Sequence, residues 1–276
     1  MKKCVLITGC SSGIGKATAI FFQKQGWNVV ATMRSPEKET ELNQLDGVLI
    51  ERLDVTSKKS IDLAIDNTIR KFERIDVLVN NAGVGIYSIF EEVDERVIRE
   101  SFEINVFGTM WVIRALLPHF RKNKSGRIIN VTSTIPHLGS PLTTLYCTTK
   151  KAMEGLSDAL YYELMPLGIR VILVQPGTTK TKIAMQHEFP NQAKNDEYAP
   201  ILQTAVESFR HRFETDTLAS PEEPAKVIYE AAVSKSNRFR FVSGRDAKMV
   251  NLMRRLLPEH TLKKLASKMM GLNNLA

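Results

Sequence analysis

The chain has 276 residues, 43% of them hydrophobic and 25% charged, with a net charge of +8. These proportions suit a soluble globular protein of one large α/β domain or two small ones, and no apolar run reaches the ~20 residues that span a bilayer. Three cysteines without paired spacing exclude a disulfide scaffold and point to reduced thiols in a cytoplasmic protein.

Met1-Lys2-Lys3 runs straight into the strand-like Cys4-Val-Leu-Ile-Thr8, so no secretory signal is expected. Residues 3–8 read as a buried strand, and Thr8-Gly9-Cys10-Ser11-Ser12-Gly13-Ile14-Gly15 follows at once. A helix begins there, with Ile14, Ala17, Ile20 and Phe21 at helical spacing. A glycine-rich turn between strand and helix lets backbone approach a phosphate, and the helix N-terminus favours the negative charge. The spacing is G-x-x-x-G-x-G, and in this setting it reads as a dinucleotide site rather than a plain turn.

A second strand, 27–33, ends at Met33-Arg34, where an NAD site usually carries an acid for the ribose 2′-hydroxyl. Arginine there accommodates a 2′-phosphate, so NADP(H) is favoured over NAD(H). Strands are expected at 48–53, followed by Asp54-Val55, and at 76–80, leading into Asn81-Ala82-Gly83, with a helix over 57–72 between them. This alternation implies a parallel sheet covered on both faces, with ligands at the C-terminal edge. A long helix is expected over 94–121, carrying Asn105 in an apolar run. A fifth strand, 126–133, delivers Ser133 to that edge.

The next helix opens with Tyr146-Cys147-Thr148-Thr149-Lys150. Residues four apart share a helix face, so the Lys150 ammonium should lie near the Tyr146 hydroxyl. A cation favours the phenolate and brings a phenol of pKa about 10 nearer to working range as an acid/base. Ser133 can bond the same oxygen from another element. A sixth strand, 169–175, is left by Pro176-Gly177-Thr178-Thr179-Lys180-Thr181. About forty irregular residues follow, and a substrate lid is placed at 178–220. A helix from Pro221 to Val233 and a seventh strand over 238–242 complete a single domain, 1–245.

The segment 246–276 is a basic, Leu/Met-rich helical extension that Pro258 should break. From 245 onward seven Lys/Arg face two acids, a charge of +5, so the positive balance belongs to the tail. The tail reads as packing on its own domain or a second subunit, with peripheral membrane contact through 246–270 as the alternative. Its cations lack interleaved aromatics, which argues against nucleic acid. The five histidines are scattered, so no metal site is expected, and His137 reads as a loop hydrogen-bonding residue.

Taken in order, these marks resemble the short-chain dehydrogenase/reductase family over residues 3–242. They are Thr8-Gly9-x3-Gly13-Ile14-Gly15, Asp54-Val55, Asn80-Asn81-Ala82-Gly83, Asn105, Ser133, Tyr146-x3-Lys150 and Pro176-Gly177-x3-Thr181. The resemblance implies an α/β, doubly wound Rossmann fold, with a seven-stranded parallel sheet in order 3-2-1-4-5-6-7. It makes Tyr146 the acid/base, Ser133 the holder of the substrate oxygen, and Lys150 the tuner of Tyr146 and binder of ribose hydroxyls. Asn105 then supports a relay water. The turn from Gly9 through Ser11, Ser12, Gly13, Ile14 and Gly15 holds pyrophosphate. Asp54 and Val55 border adenine, Asn81, Ala82, Gly83, Pro176, Gly177 and Thr178 line the cofactor, and Thr181 sits near the nicotinamide carboxamide. Within the family the chain is similar to bacterial relatives of hydroxysteroid and retinol dehydrogenases. A homodimer or homotetramer is implied.

The expected function is NADP(H)-dependent interconversion of an alcohol and a ketone or aldehyde on a lipophilic small molecule. Val84, Ile86, Tyr87, Ile135, Leu138 and Leu142 are the expected pocket, with 182–213 above it. The alternatives are a catalytically silent NADP-binding regulator, which intact Ser133, Tyr146 and Lys150 argue against, and the same enzyme acting on membrane lipids such as an acyl-dihydroxyacetone-phosphate-type ketone.

Overall fold

A computed structural model of the chain describes residues 2–181, 189–214 and 218–272, with backbone alone at 212–214. Its strands are β1 (Cys4–Ile7), β2 (Asn28–Met33), β3 (Val48–Arg52), β4 (Val77–Asn80), β5 (Gly126–Val131), β6 (Ile169–Pro176) and β7 (Arg240–Ser243). They form one sheet in the order β3-β2-β1-β4-β5-β6-β7, and every neighbouring pair is parallel. The helices are α1 (Gly13–Lys24), α2 (Lys58–Phe72), α3 (Glu95–Phe102), α4 (Gly108–Asn123), α5 (Thr144–Leu164), α6 (Ala199–Glu214), α7 (Glu222–Val233), α8 (Arg245–Leu256) and α9 (Glu259–Met269). The expected doubly wound α/β fold and its strand order are those observed.

Side chains alternate across a strand, so the inner strands supply both cores. Val5, Ile7, Val29, Ala31, Val77, Val79, Ile129 and Ile172 pack with Ala19 and Phe22 of α1 and Ile228 and Ala231 of α7. Their neighbours Cys4, Leu6, Val30, Leu78, Ile128 and Val171 point the other way, onto Ile61 and Ala64 of α2, Val112, Leu116 and Phe120 of α4, and Leu164 of α5. Such two-sided burial explains why the strands read as unbroken apolar runs. Helix boundaries have local causes. Ser57 caps α2 by accepting from the Ser60 N–H, and Asp94 caps α3 by accepting from that of Arg96.

Two expectations change. The long helix over 94–121 is interrupted by a π-turn, Glu103–Phe107, between α3 and α4. One inserted residue cannot be read from apolar spacing, because 3.6-residue periodicity tolerates it; such turns gather at functional sites. The stretch after Thr181 is not irregular throughout, because α6 occupies Ala199–Glu214 and buries Leu202, Ala205 and Phe209. Its polar residues masked that face in sequence. Residues 182–188 and 215–217 of the expected lid lie outside the described residues. The insertion closes at its base, where Thr179 bridges Ala219 and the Lys180 N–H donates to the Ala219 carbonyl at 2.9 Å.

Candidate active site

A cleft of about 720 Å³ opens along the C-terminal edge of the sheet. Its walls include Gly9, Ser11, Ser12, Gly13, Ile14, Arg34, Asp54, Val55, Asn81, Ala82, Gly83, Ser133, Tyr146, Lys150, Pro176, Gly177, Thr178 and Thr181. Two sequence candidates, Gly15 and Asn105, stand behind these walls rather than in them.

The glycines explain the shape of one end. Gly9 has φ +75°, and a Cβ there would lie 2.8 Å from the Ala82 Cα. A Cβ at Gly15 would sit 2.2 Å from the Gly9 carbonyl oxygen. Only glycine permits both the left-handed turn and this closeness. Behind the turn the Thr8 hydroxyl accepts the N–H groups of Asn81 and Ala82, each at 3.0 Å, while Asn81 Nδ2 donates to the carbonyls of Thr8 and Gly9. Thr8 thus locks the β1 and β4 loops into one cradle at the N-terminus of α1, a ready site for an anionic diphosphate. The residues present therefore fit a dinucleotide. Cys10 is fully buried within this turn, and burial pushes its thiol up to about 12, so it is structural.

At the β2 end, Arg34, Ser35, Lys38 and Glu39 border the cleft. The Arg34 guanidinium and the Lys38 ammonium hold no ion pair or side-chain hydrogen bond among the described residues. Glu39 is the one acid of this group, and it is committed elsewhere. Its carboxylate meets Lys16 at 3.0 Å and accepts the N–H groups of Glu41 and Leu42. Ser35 and Lys38 were missed in sequence; a second cation four residues beyond Arg34 was the available signal. Asp54 turns its carboxylate onto the N–H and hydroxyl of Thr56, and Val55 is buried.

Ser133, Tyr146 and Lys150 converge on the opposite wall. Ser133 hydrogen-bonds the Tyr146 hydroxyl. Lys150 Nζ lies 5.7 Å from the Tyr146 ring centroid and donates to the Val131 carbonyl at 3.0 Å. Burial drives the Lys150 ammonium down from 10.5 to about 8. The phenol departs from expectation. Burial moves its pKa well above the ordinary value, and the Ser133 hydrogen bond only partly opposes that rise. Sequence spacing reports nearness but not dehydration, and in this enclosed wall dehydration wins.

Asn105 sits in the π-turn and is buried. Its Oδ1 accepts the Val84 N–H at 2.8 Å, and its Nδ2 donates to the Val84 carbonyl at 2.8 Å and to Thr149 Oγ1 at 3.1 Å. The side chain therefore anchors the strand-like loop after Gly83 to helix α5, one residue before Lys150.

The remaining wall is largely apolar: Val84, Tyr87, Ile104, Ile135 and Phe209. Ile86, Leu138 and Leu142, expected here, do not line it. Leu142 is instead buried with Ile89, Leu202 and Ala205 beneath α6, and the Leu138 carbonyl accepts from Lys263 Nζ of α9 at 2.9 Å. Tyr87 packs against Phe189 and Phe209 at centroid distances of 5.3 and 5.2 Å. His137 does hydrogen-bond in its loop: its ring lies 3.0 Å from Gln175 Nε2 and 3.0 Å from Lys151 Nζ, and 2.9 Å from Arg254 of α8. At the far corner the Asp246 carboxylate of α8 accepts the Thr178 N–H at 2.8 Å. A Cβ on Gly177 would overlap that carboxylate, at 2.0 Å. No group of metal-ligating side chains occurs among the described residues.

Residues 3–192 match the family described as short chain dehydrogenase. The chain is 34% identical over 268 residues to an uncharacterized oxidoreductase of Bacillus subtilis, YusZ, covering 93% of this chain and 94% of that one. It is 37% identical over 196 residues to a 3-ketodihydrosphingosine reductase of Bacteroides thetaiotaomicron, 71% of each chain. Its fold is similar to that of ElxO, solved with NADP bound, at a TM-score of 0.72 and 30% identity over 88% of this chain and 96% of that one.

Proposed function

From the premise that the chain belongs to the short-chain dehydrogenase family, and so is a nicotinamide-dependent oxidoreductase of CH–OH groups, we propose that it is an NADP(H)-dependent reductase of a lipophilic ketone or aldehyde. One observation carries the reading. Ser133, Tyr146 and Lys150 meet on the wall of a cleft that also holds the glycine cradle and a largely apolar stretch of Val84, Tyr87, Ile104, Ile135 and Phe209. The dinucleotide, when bound, supplies or takes the hydride. The residues of the chain handle everything else.

Ser133 holds and orients the carbonyl oxygen by donating its hydroxyl hydrogen. Tyr146 gives that oxygen a proton. Burial keeps the phenol protonated, which suits the reduction direction. Lys150 binds ribose hydroxyls and, once charged, favours the phenolate left behind. Asn105 acts as a positioning residue by fixing the loop after Gly83 against α5. Arg34, Ser35 and Lys38 receive the 2′-phosphate, while the engaged Glu39 leaves no acid there to hold a free 2′-hydroxyl. This favours NADP, and the NADP-bound ElxO is in keeping with it.

The apolar wall and the ketosphingosine-reducing relative favour a long-chain lipid carbonyl over a steroid or retinoid. The family resemblance supports reading the protein as a cytoplasmic homodimer or homotetramer. No described helix is long and apolar enough to cross a membrane.

The test is a panel of long-chain ketones, steroids and retinal with NADPH and NADH, followed by nicotinamide absorbance. Turnover should be fastest on long-chain ketones. Tyr146→Phe should lower it by about 10²-fold or more with cofactor affinity retained. Undiminished turnover in that variant would overturn the assignment of the acid.

A further inference from the structure

The tail helices are basic, and the face they turn away from the domain carries apolar side chains as well. In α8 the inner side is settled: Ala247 is fully buried, and Arg254 reaches His137. Asp246 is engaged with Thr178. On the opposite side lie Arg245, Lys248, Met249, Leu252, Arg255 and Leu256, spaced three and four apart and all exposed. Met249 is 47% exposed, Leu252 57% and Leu256 70%. These are unusual values for side chains that burial would reward, and they align with one another. Helix α9 buries Leu262 and Ala266 inward and turns Lys264 and Lys268 outward.

The outer face of α8 therefore combines three apolar and three cationic side chains with no acidic one. We infer that this face docks the enzyme onto an anionic lipid surface. Charge complementarity selects that occupant. A second copy meeting the same face across a two-fold axis would set Arg245, Lys248 and Arg255 against their own like charges. A nucleic acid would meet Met and Leu where stacking rings are needed. An anionic headgroup layer satisfies both chemistries at once: its phosphates meet the cations, and Met249, Leu252 and Leu256 enter the acyl boundary.

The same tail braces segments next to the cleft. Asp246 holds the Thr178 loop, Lys263 holds the Leu138 carbonyl, and the α9 C-terminus reaches Thr204 of α6. The docking argument does not depend on the cofactor or substrate assigned above. A failed binding test would leave the reductase reading intact, and a failed turnover panel would leave this one intact.

The experiment is co-sedimentation of the full chain with phosphatidylcholine vesicles and with phosphatidylcholine–phosphatidylglycerol vesicles, at low and high salt. Binding should appear on the anionic vesicles and weaken at least tenfold at high salt. Leu252→Glu with Leu256→Glu should weaken it at least tenfold. Arg245→Gln, Lys248→Gln and Arg255→Gln together should abolish the preference for anionic vesicles. These side chains touch nothing in the cleft, so NADPH binding by each variant serves as the check on folding. Equal sedimentation with both vesicle types, absence of binding, or unchanged binding by the folded Leu→Glu variant would overturn the proposal. So would a wild-type dimer that the Leu→Glu variant converts to monomer without any vesicle binding by the wild type.

Discussion

Replacing Lys150 with methionine keeps the length of the side chain and deletes its charge. Burial lowers this ammonium from 10.5 to about 8. At pH 7 that displacement corresponds to a folding cost of roughly 3 kcal/mol for keeping the group charged. A group whose folded pKa is depressed gives its full stability only above the unfolded pKa and loses it as pH falls through the folded value. The penalty is therefore complete below about pH 8 and fades as pH rises toward 10.5. The variant also forfeits the hydrogen bond to the Val131 carbonyl, which costs about 1–3 kcal/mol if that oxygen goes unpaired. Lys150→Met should thus be as stable as wild type or slightly more so at pH 7, yet inactive.

The sharper readout is the difference between the two proteins. Urea unfolding followed through buried Trp27 should show wild type gaining on the variant by roughly 2 kcal/mol between pH 7 and 9.5. Parallel stability curves over that range would refute the claim that a dehydrated ammonium sits at this wall. A variant with full turnover would refute its functional role.

Two further outcomes test the cofactor end. Arg34→Ala and Lys38→Ala should each weaken NADPH by about tenfold or more, as expected for a lost charge-assisted hydrogen bond, with little change for NADH. Equal losses in a fluorescence titration would remove the 2′-phosphate site. Gly15→Ala places a methyl 2.2 Å from the Gly9 carbonyl oxygen, so the turn must shift. NADPH affinity should fall at least tenfold, with a lower melting temperature by calorimetry, and unaltered binding would show that the cradle is not the diphosphate site.

The sheet was legible because its inner strands are buried on both faces, which leaves apolar runs such as Val77–Asn80 and Ile169–Pro176 that alternate with helical spacing. The cleft was legible because glycines and polar residues interrupt those runs where strands end. Features that depend on several elements at once were not. Lys38 acquires meaning only because Glu39 turns away to Lys16. The π-turn holding Asn105 changes no periodicity that a sequence displays. The state of Tyr146 depends on how completely the wall excludes water, which the Tyr-x-x-x-Lys spacing does not encode. Leu142 was an apolar loop residue equally suited to line a pocket or to fill a core, and the placement of α6 decided between those roles.

The clasp between Asp246 and the Thr178 N–H has a bearing on how the protein matures. The loop it fastens is made some seventy residues earlier than its fastener. A chain emerging from the ribosome therefore presents all seven strands and the glycine cradle before the residue that fastens the Thr178 corner. Competence to retain a coenzyme should arrive late in synthesis, when the stretch beyond Gly244 has cleared the exit tunnel and can close over Gly177.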